Sequence, residues 1–309
     1  MSGNRFSWRL APLLLSLAGC APTARQPAAN PLLDWGQSVV LTDRSAELQF
    51  RPSIGRVMHF ARAGGRNLLW YDENPTSNTP GHWVNSGGDK LWSWPQKGAW
   101  NWPPPKAIDV GPYRIVRQDA LSFRADSPID AASGLMAIRE TSLCDGVVQN
   151  TYTLARRRPP ASGAAGTPVS AWAVTQVRMG QFFAHLRPTG ADAPVTPMSE
   201  SIPDMRPVGG GWVEIVVAPG SRKVGVAADI LAARIGDQVL LIKRVAGNDD
   251  AALPRGVSAQ LFTCDETWGR YAELEFLGPE RALEVGEQTT LQTQWSILAA
   301  SAFEGMMKP

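Results

Sequence analysis

The sequence predicts an all-β fold, a large antiparallel β-sandwich forming one domain over residues 33–309. Beyond residue 32 the chain runs as short segments of alternating polarity separated by Gly, Pro, Asn and Asp, the pattern of antiparallel strands joined by turns. Long helical periodicity is nearly absent. The segments number more than about ten, beyond what one twisted sheet usually holds, so two packed sheets are expected. No repeat recurs at a fixed period, which disfavours propellers and solenoids.

The N-terminus stands apart from that pattern. Arg5 and Arg9 precede an apolar run from Leu10 to Ala18, too short for a membrane span of ~20 residues, and Leu17-Ala18-Gly19-Cys20 follows as a lipobox. Residues 1–19 therefore read as a signal peptide and Cys20 as the lipidated N-terminus of the mature chain. Each buried methylene contributes about 0.8 kcal/mol, so two or three acyl chains hold a protein stably at a membrane. With Ala rather than Asp at position 21, the expected location is the outer membrane, facing the periplasm. Residues 20–32, rich in Pro and Ala, read as a flexible tether.

The strands follow in order. Ser45 to Phe50, Arg56 to Phe60 and Asn67 to Tyr71 form an opening meander, with turns at Pro52-Ser53-Ile54-Gly55 and Ala63-Gly64-Gly65. Tyr113 to Gln118, Leu121 to Ala125, Leu135 to Leu143 and Val147 to Leu154 come next, and then a loop over residues 155–168. Further strands are Val169 to Met179, Trp212 to Ala218, Lys223 to Val226, Gln238 to Val245, Ala259 to Thr263, Tyr271 to Phe276 and Thr289 to Leu298. In the last, Leu291, Thr293, Trp295 and Ile297 share one face while Gln292, Gln294 and Ser296 share the other, so one side is buried.

The segment from His82 to Lys106 interrupts this rhythm. It holds Trp83, Trp92, Trp94, Trp100 and Trp102, five of the chain's twelve tryptophans, among Gly, Pro, Asn and Asp, and reads as a long structured loop rather than a sheet element. Long loops of this kind more often carry function than merely connect. A sugar offers apolar C–H faces ringed by hydroxyls; indoles cover the former, and amide, ammonium or carboxylate groups bind the latter. Asn85, Asp89, Lys90 and Gln96 supply such groups beside Trp92, Trp94 and Trp102. The competing reading, that these tryptophans plug the end of the sandwich core, stays open for each one singly.

Composition excludes several classes. Loss of Arg5 and Arg9 with the signal leaves 28 bases against 28 acids, and no basic cluster exceeds Arg156-Arg157-Arg158, so a nucleic-acid partner is not expected. No His, Cys, Asp or Glu spacing suits a metal; Asp249-Asp250 and Asp265-Glu266 read as solvated turns, and no cofactor is implied. Neither a phosphate-binding glycine loop nor a nucleophile elbow occurs. Cys144 and Cys264 remain after lipidation, and an oxidising compartment permits a disulfide between them if their Cα atoms come within about 7 Å.

The segments IGRVMHFARAGGRNLLWYDEN (54–74), NSGGDKLWSWPQ (85–96), WPPP (102–105) and YAELEFLGP (271–279) resemble the galactose mutarotase-like (aldose 1-epimerase-like) superfamily, and within it a domain family of bacterial exported lipoproteins, over most of the chain from Leu33 to Leu298. The resemblance implies a supersandwich of large antiparallel sheets with a carbohydrate cleft on a concave face. It also implies, for an active enzyme, a Glu that withdraws the anomeric proton and a His that protonates the ring oxygen. Glu275 falls where the catalytic Glu sits, with Glu273 on the same strand face as its alternate. The histidines depart from the pattern. Gln176 stands where an acid is expected; His82, beside the Trp-rich segment, is the candidate acid; His59 and His185 read as structural or surface residues. The expected function is therefore carbohydrate binding, with an epimerase using Glu275 and an envelope scaffold without a sugar ligand as rivals, since one fold hosts many activities.

Overall fold

The computed structural model describes residues 37–72, 83–96, 103–161, 167–187, 196–199, 202–245, 252–264 and 269–308. In chain order its strands are β1 (Val39–Thr42), β2 (Ala46–Arg51), β3 (Arg56–Arg62), β4 (Asp89–Trp94), β5 (Arg114–Gln118), β6 (Ser122–Asp126) and β7 (Leu135–Cys144). There follow β8 (Val147–Arg156), β9 (Ser170–Arg178), β10 (Gln181–Leu186), β11 (Thr196–Pro197), β12 (Asp204–Gly209) and β13 (Trp212–Val216). The last are β14 (Arg222–Val226), β15 (Ala228–Ile235), β16 (Gln238–Arg244), β17 (Ala259–Cys264), β18 (Tyr271–Leu277) and β19 (Gln288–Ala299). Among the described residues two short α-helices accompany them, α1 (Lys106–Asp109) and α2 (Ala300–Met306).

The strands form two antiparallel sheets, as predicted. One has nine strands in the order β1-β2-β3-β4-β9-β18-β17-β14-β11; the other has ten, ordered β12-β13-β10-β15-β16-β19-β8-β7-β6-β5. Alternation along each strand sends one set of side chains between the sheets. There Phe50 of β2 stacks on Phe123 of β6 with centroids 4.6 Å apart, and Phe60 of β3 meets Trp295 of β19 at 5.7 Å. On the far side of the ten-stranded sheet, α2 lays Phe303 over Phe183 and Trp212 at 5.2 and 4.9 Å, closing a second apolar cluster.

Several expectations are corrected. The segment from His82 to Lys106 is not wholly loop: its Asp89–Trp94 stretch is β4, a central strand paired with β9 along its whole length. Asp and Lys at its head obscure the strand, because both are buried charges. Asn67 to Tyr71 makes only isolated bridges, Leu69 to Val177 and Tyr71 to Gly87, rather than a ladder. Strands β1, β10, β11, β12 and β15 and helix α2 have no counterpart in the sequence reading. Cys264 is a free, buried thiol on which the Ser221 hydroxyl lies at 3.7 Å, so no Cys144–Cys264 disulfide closes.

Candidate functional site

The site is built on the face of the nine-stranded sheet that turns away from the partner sheet. Along β4, Asp89, Leu91 and Ser93 point inward, so Lys90, Trp92 and Trp94 point outward. The same parity puts Trp172, Val174 and Gln176 of β9 outward, with Glu273 and Glu275 of β18 and Gln260 of β17 beside them; Glu275 pairs directly with both Val174 and Gln260. Entry into β4 depends on glycine. Gly87 and Gly88 have φ of 82° and 73°, and a Cβ on Gly88 would stand 2.5 Å from the Val57 carbonyl oxygen.

One carboxylate organises the aromatic wall. Asp109, at the end of α1, accepts hydrogen bonds from the indole N–H groups of Trp83 and Trp92, each at 2.7 Å, and from Arg56 Nη2 at 2.6 Å. Trp92 then meets Trp172 edge-on at 5.3 Å, and Trp94 meets Trp172 at 5.4 Å. The Lys90 ammonium sits over Trp92 at 4.4 Å and Trp83 at 5.3 Å, and Lys223 of β14 sits over Trp172 at 4.7 Å.

Within this wall lie two acid–base pairs. Glu275, fully buried, accepts from the Trp172 indole at 2.7 Å and pairs with Lys223 Nζ at 2.8 Å, both through Oε2. Its Oε1 and both polar atoms of buried Gln260 have no partner among the described residues. Burial, opposed by Lys223 and reinforced by the Glu273 charge, pushes the Glu275 carboxyl up to about 7. Glu273 accepts from Gln176 Nε2 at 2.9 Å and lies 3.5 Å from Lys90 Nζ. Burial lowers the Lys90 ammonium to about 8 against the pull of Glu273. The Asn85 and Gln176 amides flank the Tyr271 hydroxyl, whose phenol burial holds protonated.

The structure thus brings together Glu273, Glu275, Gln176, Lys90, Trp92, Trp94 and Asn85. Asp89 is a correction. It faces the sandwich interior, where it accepts from Arg139 at 2.6 Å, the Thr175 hydroxyl at 2.7 Å and the Tyr152 hydroxyl at 3.0 Å, so its single-residue offset from Lys90 removes it from the outer face. Gln96 follows β4, half-buried. His82, Trp100, Trp102 and Cys20 lie outside the described residues. His59 is a buried structural residue 3.0 Å from Glu47 Oε1, held below the ordinary imidazole range by that burial, and His185 packs edge-on against Trp212 at 5.1 Å. Arg56, Asp109, Trp172, Lys223 and Gln260 complete the site unforeseen. Only strand register and the return of α1 reveal them, although outward parity on β17 and β18 marks Gln260 once those strands are paired. No group of metal ligands occurs among the described residues.

Neither a family model nor a curated protein matches the chain. Solved structures do. A galactose mutarotase-like protein from Lactobacillus casei superposes with a TM-score of 0.59 at 9% identity, covering 85% of this chain and 100% of that one. A galactose mutarotase related enzyme from Lactobacillus acidophilus gives 0.56 at 5% identity over 85% and 98%, and a candidate aldose 1-epimerase from Escherichia coli K12 gives 0.53 at 11% over 85% and 99%. The chain has the galactose mutarotase-like β-sandwich fold.

Proposed function

We propose that this chain, built on a mutarotase-like sandwich, binds a carbohydrate on the outer face of its nine-stranded sheet. The observation that carries the reading is Glu275: a fully buried carboxylate, half satisfied, set among indoles and next to an unpartnered amide. A buried polar atom left unpaired costs about 1–3 kcal/mol, and a polyhydroxylated ligand supplies the missing partners. Trp83 and Trp94, only partly buried, provide apolar rim surface for the C–H faces of a sugar, while Trp92 and Trp172 hold the polar groups in place. Lys90, Gln176 and Asn85 extend the polar floor. Calorimetric titration of the purified protein with neutral sugars and envelope polysaccharides tests the reading. Binding abolished in Glu275→Ala is expected, and absence of binding to every sugar sinks it.

A second reading is favoured by the elevated Glu275 carboxyl. A base near neutral pH suits removal of an anomeric proton, and Lys90, near 8, is the proton donor on the same face. Polarimetry of anomer interconversion tests it: acceleration lost in Glu275→Gln and lowered in Lys90→Met supports epimerisation, and a rate equal to that in buffer removes it.

The proposal includes location. Residues 1–20 place the body on the periplasmic side of the outer membrane through lipid on Cys20. Labelled palmitate incorporation that persists in Cys20→Ala overturns that part.

A further inference from the structure

The aromatic side chains of the outer face do not all gather around Glu275. Trp83, Trp92, Trp94 and Trp172 form the wall at one end. A second group stands at the other: Trp70 lies against Tyr271 with ring centroids 4.6 Å apart, and Phe262 meets Tyr271 at 6.1 Å. The register of β9 on β18 measures the gap between them. Trp172 pairs with Leu277 and Arg178 with Tyr271, six residues along the strand, which is about 20 Å and several times the width of one pyranose ring. Each group keeps half-buried rings, Trp83 and Trp94 at the first end, Trp70 and Phe262 at the second. Backbone holds the second group in place. A Cβ on Gly269, where φ is 101°, would stand 2.4 Å from Trp70 Cζ2, so only glycine lets the chain approach that indole. Polar atoms accompany it. Gln176 Oε1 and Asn85 Nδ2 are buried without a partner among the described residues, and both amides flank the Tyr271 hydroxyl. A single sugar ring stacked at the tryptophan wall leaves this second group untouched.

Resting on the carbohydrate reading above, we infer that Trp70, Tyr271 and Phe262 form a second subsite, and that the ligand is a linear glycan strand rather than a free monosaccharide. One sugar of the strand occupies the tryptophan wall. Another, further along β9 and β18, lays its C–H face on the exposed part of Trp70, donates a hydroxyl to Gln176 Oε1 and accepts from Asn85 Nδ2. Aromatic surface at both ends of a polar strip matches a ligand that repeats, ring after ring, an apolar face edged with hydroxyls. The amide atoms gain partners that the fold does not supply.

The test compares wild type with Trp70→Leu in thermal melts and in calorimetry against glucose, galactose and N-acetylglucosamine and their linear oligomers of two, four and six residues. For wild type, affinity is expected to rise about tenfold from disaccharide to tetrasaccharide of the sugar that binds, the worth of covering one further indole face. Trp70→Leu is expected to fold and to lose that rise, binding the two oligomers within about threefold of each other. Should Trp70→Leu fail to fold, Phe262→Leu in the same group serves in its place. Wild-type affinity that does not depend on chain length, or a rise that the variant retains, overturns this inference and leaves the carbohydrate reading intact. Wild type that binds no member of the panel overturns both.

Discussion

Glu275 shows how one side chain acquires chemistry from its surroundings. In an unfolded chain its carboxyl titrates near 4.5; in the sheet, burial carries it to about 7. The folded state therefore holds that proton more tightly, and the associated stability is fully present below pH 4.5 and lost as pH rises through 7. At about 1.4 kcal/mol per unit the loss is about 3 kcal/mol. Chemical denaturation at pH 4.5 and pH 8 should show wild type losing that much relative to Glu275→Gln; parallel profiles contradict the assignment. Asp109 acts in the opposite sense, as an anchor. Asp109→Ala strands the buried Arg56 and frees two indoles, so a loss of about 3–5 kcal/mol is expected in denaturant unfolding, with altered tryptophan fluorescence. Glu275, Glu273, Lys90 and Gln176 were legible as candidates from their residue types and their place in the resemblance. Asp109 and Lys223 were not, because a lone Asp after a proline run and a Lys at a strand head carry no local mark of a partner far away in the chain.

At the scale of elements, β4 is decisive. It turns out of Gly87-Gly88 and runs antiparallel to β9, and the alternation of its six residues divides charge between two faces, Asp89 inward and Lys90 outward. A methyl group on Gly88 meets the Val57 carbonyl and forces a left-handed residue, so Gly88→Ala should destabilise by more than about 1 kcal/mol and shift the Trp92 environment in near-ultraviolet circular dichroism. An unchanged spectrum with unchanged stability refutes the role. Helix α2 has a different task, covering the outside of the ten-stranded sheet. Phe303→Ala should cost about 3–5 kcal/mol in denaturant unfolding by opening a cavity over Trp212. Elements with clean alternation, such as β7, β8 and β19, were legible in the sequence. β4 was not, because polar residues at its head mimic a loop.

The whole molecule is two sheets fastened by more than apolar contact. Asp89 on one and Arg139 on the other form a buried pair with Tyr152 and Thr175, and this pair fixes which face of β4 is turned outward. Breaking it on one side leaves an uncompensated interior charge, so Asp89→Leu or Arg139→Met alone should cost about 3–5 kcal/mol, while the double variant should recover much of that loss. Additive losses in a double-mutant cycle would show that the two side chains act independently. The sequence by itself determined the all-β class, the two-sheet sandwich, most strand positions and a group of aromatic, amide and carboxylate residues, because alternation and turn chemistry are local properties of the chain. Only the tertiary structure decided which of those residues share a face. A one-residue change of parity carries a side chain to the opposite side of a sheet, and the register that sets Gln260 against Glu275, or brings Asp109 to Trp92, arises from pairing between strands and segments distant in sequence.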